Sequence, residues 1–291
     1  MPQLVSGMFR RHNLAITPKS AGNVIGALES VRRMRGGAQS YLVRCSDSCH
    51  YVVKLKNNPQ HRRVLVNDYI GSRLAAMLGL PVAGPAVIHV DPLLASQMHM
   101  RDTQTLANKE TAEPGRSFGS RCVIQPSEGP ILDYVPREMI GRIRNLRDFA
   151  GILAFDKWTN NVDARQAVYW RYRRQKLLTA TFIDQGFCFN AEHWTFSDAP
   201  LKGVYPLDEI YCEIRGWGDF EPWISRIEEF PEGRIWDVLR EVPPEWYEGS
   251  EEQLAEMLHR LACRTTRVRE LIWQFATSSR NPFPRWNPSS N

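Results

Sequence analysis

The chain contains no run of about 18 apolar residues, so no membrane-spanning helix is expected. Its first residues, Met1 to Arg11, have no apolar secretion core, which points to an intracellular, cytoplasmic protein. Cysteine is scarce: six in 291 residues do not make a disulfide scaffold. Cys45 and Cys49-His50 lack a second Cys/His pair at zinc-ligand spacing, which argues against a zinc site. No glycine is followed by Lys-Ser or Lys-Thr, and no Gly-x-Gly-x-x-Gly occurs, so the Walker and dinucleotide phosphate loops are excluded. Nor does one sign of charge dominate. Thirty-seven basic against 32 acidic residues leave +5, which suits an anionic ligand such as a nucleotide without indicating nucleic acid.

What is present reads as a globular chain. Hydrophobic residues at 43% and charged residues at 24% are ordinary for one, and the length buries a real core in one large domain or two lobes.

The most informative stretch runs from Leu146 to Asn190. An apolar, helix-like run ending Gly151-Ile152-Leu153-Ala154-Phe155 delivers Asp156, and a polar loop follows from Lys157 to Arg165. Two strand-like runs, Gln166 to Tyr172 and Leu177 to Ile183, are joined by the charged turn Arg173-Arg174-Gln175-Lys176. The second delivers Asp184 into Gln185-Gly186. Asp156, Asn161 and Asp184 thus stand at the ends of ordered elements, where a scaffold holds them together while they stay exposed. An acid, an Asn five residues on and a second acid after a hairpin can position a hydroxyl and bind magnesium on a nucleotide. Phosphoryl transfer needs those parts, because its catalysis is mostly positioning and charge neutralisation. Asp and Asn also cap helices and make turns, so the rest of the chain carries the weight.

Residues 1–22 read as an irregular arm with room for a short strand. Val24 to Val31 is a strand or a short helix, Tyr41 to Arg44 a strand, and His50 to Leu55 another after a Cys45–Cys49 turn. Between the first two lies Gly36-Gly37-Ala38. A glycine pair there lets backbone amides approach a phosphate, and it equally suits a plain hairpin turn. Lys54 and Lys56 share one strand face, so either is a candidate partner for nucleotide phosphates. Apolar spacing predicts a helix over Arg62 to Leu80, carrying Asp68 where an acid can brace a strand lysine. Ala86 to Val90 reads as a strand, and an insertion or mobile loop is expected near Ala107–Ser117. Cys122 to Ile124 reads as an edge strand and Glu128 to Pro136 as a connector. The resulting division is 1–135 and 136–291. Beyond Asn190, large aromatics between Pro and Gly predict short helices with core anchors. Ser250-Glu251-Glu252-Gln253 has the form of a capping box, opening a helix that runs through Leu254 and Leu261 to Phe275. The tail Asn281 to Asn291 reads as frayed.

A strand lysine, a helix acid, an Asp, an Asn five later and an Asp before Gly, in that order, resemble a protein-kinase-like fold. Ala154-Phe155-Asp156 in place of His-Arg-Asp, and Asp184-Gln185-Gly186 in place of Asp-Phe-Gly, resemble its atypical branch. Gly36-Gly37-Ala38-Gln39-Ser40, Tyr51-Val52-Val53-Lys54 and the Asn67–Ala75 stretch look most like the bacterial HipA-like kinases, over roughly residues 25–190. The resemblance implies an α+β, two-lobed fold: a small, mostly antiparallel β N-lobe with one helix, and a larger helical C-lobe. It implies transfer of the γ-phosphoryl group of ATP, with magnesium, to a hydroxyl of a protein Ser or Thr. Asp156 would orient the acceptor hydroxyl and take its proton, and Asn161 (or the adjacent Asn160) and Asp184 would hold magnesium. Lys54 would contact the phosphates, braced by Asp68, under Gly36, Gly37 and Ala38. A small-molecule or lipid-headgroup kinase using basic residues such as Arg142, Arg173 and Arg174, and a non-catalytic nucleotide-binding or scaffolding module, are the alternatives.

Overall fold

The computed structural model describes residues 24–101 and 109–287. The expected arm at 1–22 and the end of the tail lie outside them.

The chain opens with β1 (Ile25–Arg33), β2 (Tyr41–Cys45) and β3 (His50–Lys54), then α1 (Arg63–Met77), β4 (Pro85–Val90) and α2 (Pro92–Gln97). β5 (His99–Arg101) and β6 (Lys109–Thr111) form a separate ribbon, and β7 (Gly115–Arg121) follows. β1, β2, β3, β7 and β4 close into a barrel, all pairs antiparallel except β1 with β4. Alternating residues such as Tyr41, Val43, Tyr51, Val53, Ile88 and Val90 fill its interior, and Leu94, Ala95 and Met98 from α2 and the residue after it join them. Gly119 is needed for closure, because a Cβ there would sit 2.5 Å from Cγ1 of Ile88 across the barrel.

The second half begins with β8 (Ile131–Leu132) and a 3-10 segment at Arg137–Arg142, then α3 (Asp148–Thr159), β9 (Gln166–Trp170) and β10 (Thr179–Ile183). β9 and β10 are an antiparallel hairpin, and β8 adds to the β9 edge. Four longer helices end the fold: α4 (Trp223–Glu228), α5 (Glu232–Leu239), α6 (Glu251–Cys263) and α7 (Val268–Ala276). The main core packs α1 and α3 against these helices and the aromatics between them, among them Phe149, Trp158, Phe220, Trp246 and Phe275. Every residue of α3 from Phe149 to Thr159 is buried, so this helix is the axis of the second half rather than a surface helix. The architecture is mixed α+β. Among the described residues no helix is long and apolar enough to cross a membrane.

Several expectations are corrected. Of the two readings of Val24–Val31, the strand holds, as Ile25–Arg33. Within 107–117 lie β6 and the start of β7; residues 102–108 are outside the description. The strand expected at Cys122–Ile124 is instead β7, which ends at Arg121 and lies between β3 and β4 in the barrel, and the 128–136 connector contains β8. The helix expected through Phe275 is broken by a 3-10 turn at Arg264–Arg267. Ser250 makes no capping bond, because its hydroxyl accepts from Arg63 Nη2 at 2.9 Å instead.

Gly151 in mid-α3 tests the packing. A Cβ there would lie 2.4 Å from Cδ2 of Trp223 and 2.8 Å from Cδ2 of Leu80. Alanine ordinarily improves a helix interior by about 1 kcal/mol, but overpacking a filled core costs about 1–3 kcal/mol. Gly151→Ala is therefore expected to lower the Tm measured by circular dichroism; a rise would show that α3 and α4 pack with slack.

Candidate active site

β3 ends at Lys54, whose ammonium is enclosed: Nζ donates to Asp68 Oδ2 and to Asp184 Oδ1, both at 2.7 Å. Three elements meet in this cluster. β3 supplies the lysine, α1 supplies Asp68 from a face that also buries Asn67 and Ser72, and the turn after β10 supplies Asp184. The approach of that turn is fixed by the backbone. Phe182 N donates to Pro81 O at 2.7 Å, tying β10 to the chain just after α1, and Gln185 N donates to Asp68 Oδ1 at 2.9 Å. Asn67 Nδ2 holds Gly186 O at 2.8 Å and Ala191 O at 2.9 Å. A side chain at Gly186 would put Cβ 2.6 Å from Val64 Cγ1, 3.1 Å from Asp68 Oδ2 and 3.3 Å from Lys54 Nζ. Glycine after Asp184-Gln185 is thus what lets the backbone reach the ion cluster.

Burial alone would favour a neutral Lys54, but the Asp184 and Asp68 carboxylates hold its pKa above the ordinary lysine value. Burial also opposes charge on Asp184, yet Lys54 holds its carboxyl below the usual range. Asp68 is the most enclosed of the three; burial pushes it up to about 6, against the pull of Lys54. Lys56, the other candidate, is turned away to Glu113 at 2.5 Å.

The β2–β3 register pairs Tyr41 with Val53, and one step further sets Ser40 beside Lys54. The loop before it, with Gly36, Gly37 and Ala38, is closed by Met34 N donating to Ser40 O at 2.7 Å. Gly36 has φ +119°, which favours glycine, and Gly37 packs on the Gln60 side chain beyond β3. The loop therefore lies at the end of β3 that carries the lysine.

The loop after α3 departs from expectation. Asp156 is not at the end of its helix and is not exposed. It lies one turn inside α3, which continues to Thr159, and is 1% exposed. Arg165 grips it with Nε to Oδ2 at 2.9 Å and Nη2 to Oδ1 at 2.5 Å, while Asn161 Nδ2 donates to Oδ1 at 3.0 Å. Gly203 covers the pair; its φ is +63° and a Cβ would stand 3.0 Å from Asp156 Cβ. The second Arg165 branch, Nη1, donates to Ile183 O at 2.8 Å and Asp184 O at 3.3 Å. Asp156 and Arg165 thus form a buried pair that clamps the post-helix loop onto the end of β10. Asn161 is buried as well, its Oδ1 accepting from Asp163 N at 3.1 Å, and Asn160 caps α3 in the left-handed conformation with φ 52°.

What this clamp leaves in the open is Asp163. Its side chain is exposed on the loop apex between Asn161 and Arg165, and one oxygen accepts from Ala164 N at 2.8 Å. Three residues on, Gln166 Nε2 donates to Asp184 Oδ2 at 3.2 Å, so the same loop runs directly to the Asp184 carboxylate. Sequence reasoning passed over Asp163 and Gln166. The available signal was Arg165: a lone arginine in a polar loop just after a buried helix claims one of the two nearby carboxylates. No group of three or more His, Cys, Asp or Glu gathers as a metal site among the described residues.

The fold has counterparts among known proteins. A family model described as a HipA-like kinase matches residues 28–202. By structure, the chain is similar to the Helicobacter pylori proinflammatory kinase CtkA, at 13% identity and a TM-score of 0.55, over 86% of this chain and 99% of that one. It is also similar to hydra Fam20, at 11% identity and a TM-score of 0.50, over 92% of this chain and 89% of that one. No curated protein matches it by sequence. The structural likenesses establish the fold, and the family match spans the barrel strands, α1, α3 and the hairpin that build the site. The chain belongs to the HipA-like kinase family, and the protein is a kinase.

Proposed function

We propose that this kinase transfers the γ-phosphoryl group of ATP, in the presence of magnesium, to a serine or threonine hydroxyl of a protein. The observation that carries this reading is the enclosed Lys54–Asp68–Asp184 cluster with an exposed carboxylate, Asp163, on the loop clamped beside it. In this reading residues 24–135 form a nucleotide-binding lobe and residues 136–287 a larger helical lobe, with the site between them.

Lys54 is held as a cation by two carboxylates, so its charge is preset to meet phosphate oxygens without reorganisation. The Gly36–Ala38 loop at the end of β3 covers the same place and supplies backbone amides. Asp184 is the metal carboxylate: Oδ1 accepts from Lys54 and Oδ2 from the Gln166 amide at 3.2 Å. Gln166 can present its oxygen there by the amide rotation that exchanges its O and N. Hard oxygen donors of this kind suit magnesium, which is usually held by one or two carboxylates plus nucleotide phosphates. Magnesium would neutralise charge on the transferring phosphates. Asn161, turned to the Asp156–Arg165 pair, keeps the loop in shape instead.

Asp163 replaces Asp156 as the group that orients the acceptor hydroxyl and accepts its proton. A carboxylate gripped by a guanidinium and a carboxamide and 1% exposed does not face a substrate, whereas the exposed Asp163 does. The loop around it is open, with Asp163, Ala164 and Gln166 all exposed, which suits a chain-borne hydroxyl.

Variants, product mass and pH dependence test the reading. Asp163→Asn should lower kcat by about 10²–10⁴-fold with the Tm unchanged. Asp156→Ala, which strands Arg165 in the core, should cost about 3–5 kcal/mol of stability, read by denaturant unfolding. Wild-type kcat in Asp163→Asn, beside a folded but inactive Asp156→Asn, would return the role to Asp156. For the acceptor, intact mass after incubation with ATP and magnesium should show added phosphate on a protein; added AMP would replace phosphoryl by nucleotidyl transfer. The pH profile follows from Asp68. Above about 6 it is ionised and braces Lys54, and below that it takes a proton and the brace is lost, leaving the lysine to Asp184, whose carboxyl Lys54 holds below the usual range. kcat/KM should therefore fall as pH drops through about 6, and Asp68→Asn, less active overall, should lack that limb.

A further inference from the structure

The hairpin that presents Asp184 at one end carries a cluster of cations at the other. Arg171, Arg173, Arg174 and Lys176 surround the β9–β10 turn. Arg142 joins them because Leu178 N donates to Arg142 O at 2.9 Å and Arg144 N to Leu178 O at 2.8 Å. These five residues line a concavity of about 560 Å³ with Leu178 on its wall, and no carboxylate lines it. None of the five makes an ion pair among the described residues, whereas Arg73, Arg116 and Arg269 elsewhere are each matched by a glutamate. Glu128, beside this turn, is taken by Gln125 N at 2.7 Å.

The turn is built, not loose. Arg171 Nη1 donates to Gln175 O at 2.8 Å, and Arg173 bonds Glu128 O through its amide and Ser127 O through Nε, both at 3.1 Å. A Cβ at Gly129 would lie 2.0 Å from Arg171 O, a backbone approach only glycine permits. Like charges gathered this closely repel one another and weaken the fold unless an anion answers them. Guanidinium forks match phosphate geometry, and the volume falls within the range of about 300–1,000 Å³ usual for small-ligand sites. A strand of nucleic acid needs a groove that tracks its backbone, and here the cations gather at a single turn.

We propose that this concavity is a second anion site, taking a small soluble molecule with at least two clustered phosphate groups. It is distinct from the nucleotide site: the hairpin strands are five residues long, which separates its two ends by roughly 17 Å at about 3.3 Å per residue.

The test is calorimetric titration of the full chain with inorganic tripolyphosphate, comparing wild type, the double variant Arg174→Glu/Lys176→Glu, and Arg234→Glu on α5 as a charge control. Arg174 and Lys176 are exposed and make no bond among the described residues, so an unchanged Tm is expected in the double variant. The proposal expects a binding event that weakens at least tenfold in the double variant, is unchanged in Arg234→Glu, and weakens as salt is added. No binding to wild type, or equal binding to wild type and the double variant, would overturn it. So would selective loss of binding to anionic phospholipid vesicles, or to an oligonucleotide, with tripolyphosphate ignored; either result would assign the cations to a membrane surface or to nucleic acid.

Discussion

The placement of one ammonium group organises this protein. Lys54 leaves the barrel at the end of β3 and is received by Asp68 from α1 and Asp184 from the hairpin, so a single cation joins three segments remote in sequence. A buried charge of this kind is tolerated only when its partners are also held, and here they are. Asp68 spends its second oxygen on the Gln185 amide, Asn67 holds the carbonyl of Gly186, and Gly186 has no side chain to keep the backbone away. The cluster therefore comes already ordered. The desolvation of its cation has been offset by folding, which is the form of electrostatic preorganisation that phosphoryl transfer uses.

The second constraint is the Asp156–Arg165 pair. α3 passes through the core with no solvent-facing residue after Asp148, so a carboxylate on it has to be neutralised in place. Arg165 does this and uses its remaining branch on the carbonyls of Ile183 and Asp184. The pair thus transmits the position of the central helix to the end of β10. Its stabilising and organising roles follow from enclosure, and enclosure also removes Asp156 from solvent. Asp163, seven residues on, is left exposed because the same clamp forces the loop outward.

Much of the fold was legible in the chain. The strand-like runs Tyr41–Arg44 and His50–Leu55, three- and four-residue apolar spacing from Val66 to Leu78, and two β-rich runs around a charged turn all became the elements they predicted. These signals are local: each reports which face of one segment must be dry. The failures are as instructive. Ser250 has the spacing of a capping box, but Arg63, brought from α1, takes its hydroxyl. Cys122–Ile124 is β-branched enough for an edge strand, while the barrel closes with β7, which ends at Arg121.

By itself, then, the sequence determined the elements and the inventory of the site: a strand lysine, a helix acid, an Asp before a glycine, and acids and amides on a loop between them. Residue type and periodicity suffice for that, because they act over a few neighbours. Which aspartate is sealed and which is left exposed was decided only by the tertiary structure. Asp156 and Asp163 are the same chemical group on one short stretch. What separates them is Arg165 turning inward and Gly203 arriving from 40 residues beyond to close over the pair. The five cations of the β9–β10 turn gained their meaning in the same way, since only Arg142, carried in by the backbone of Leu178, turns a charged turn into a walled concavity.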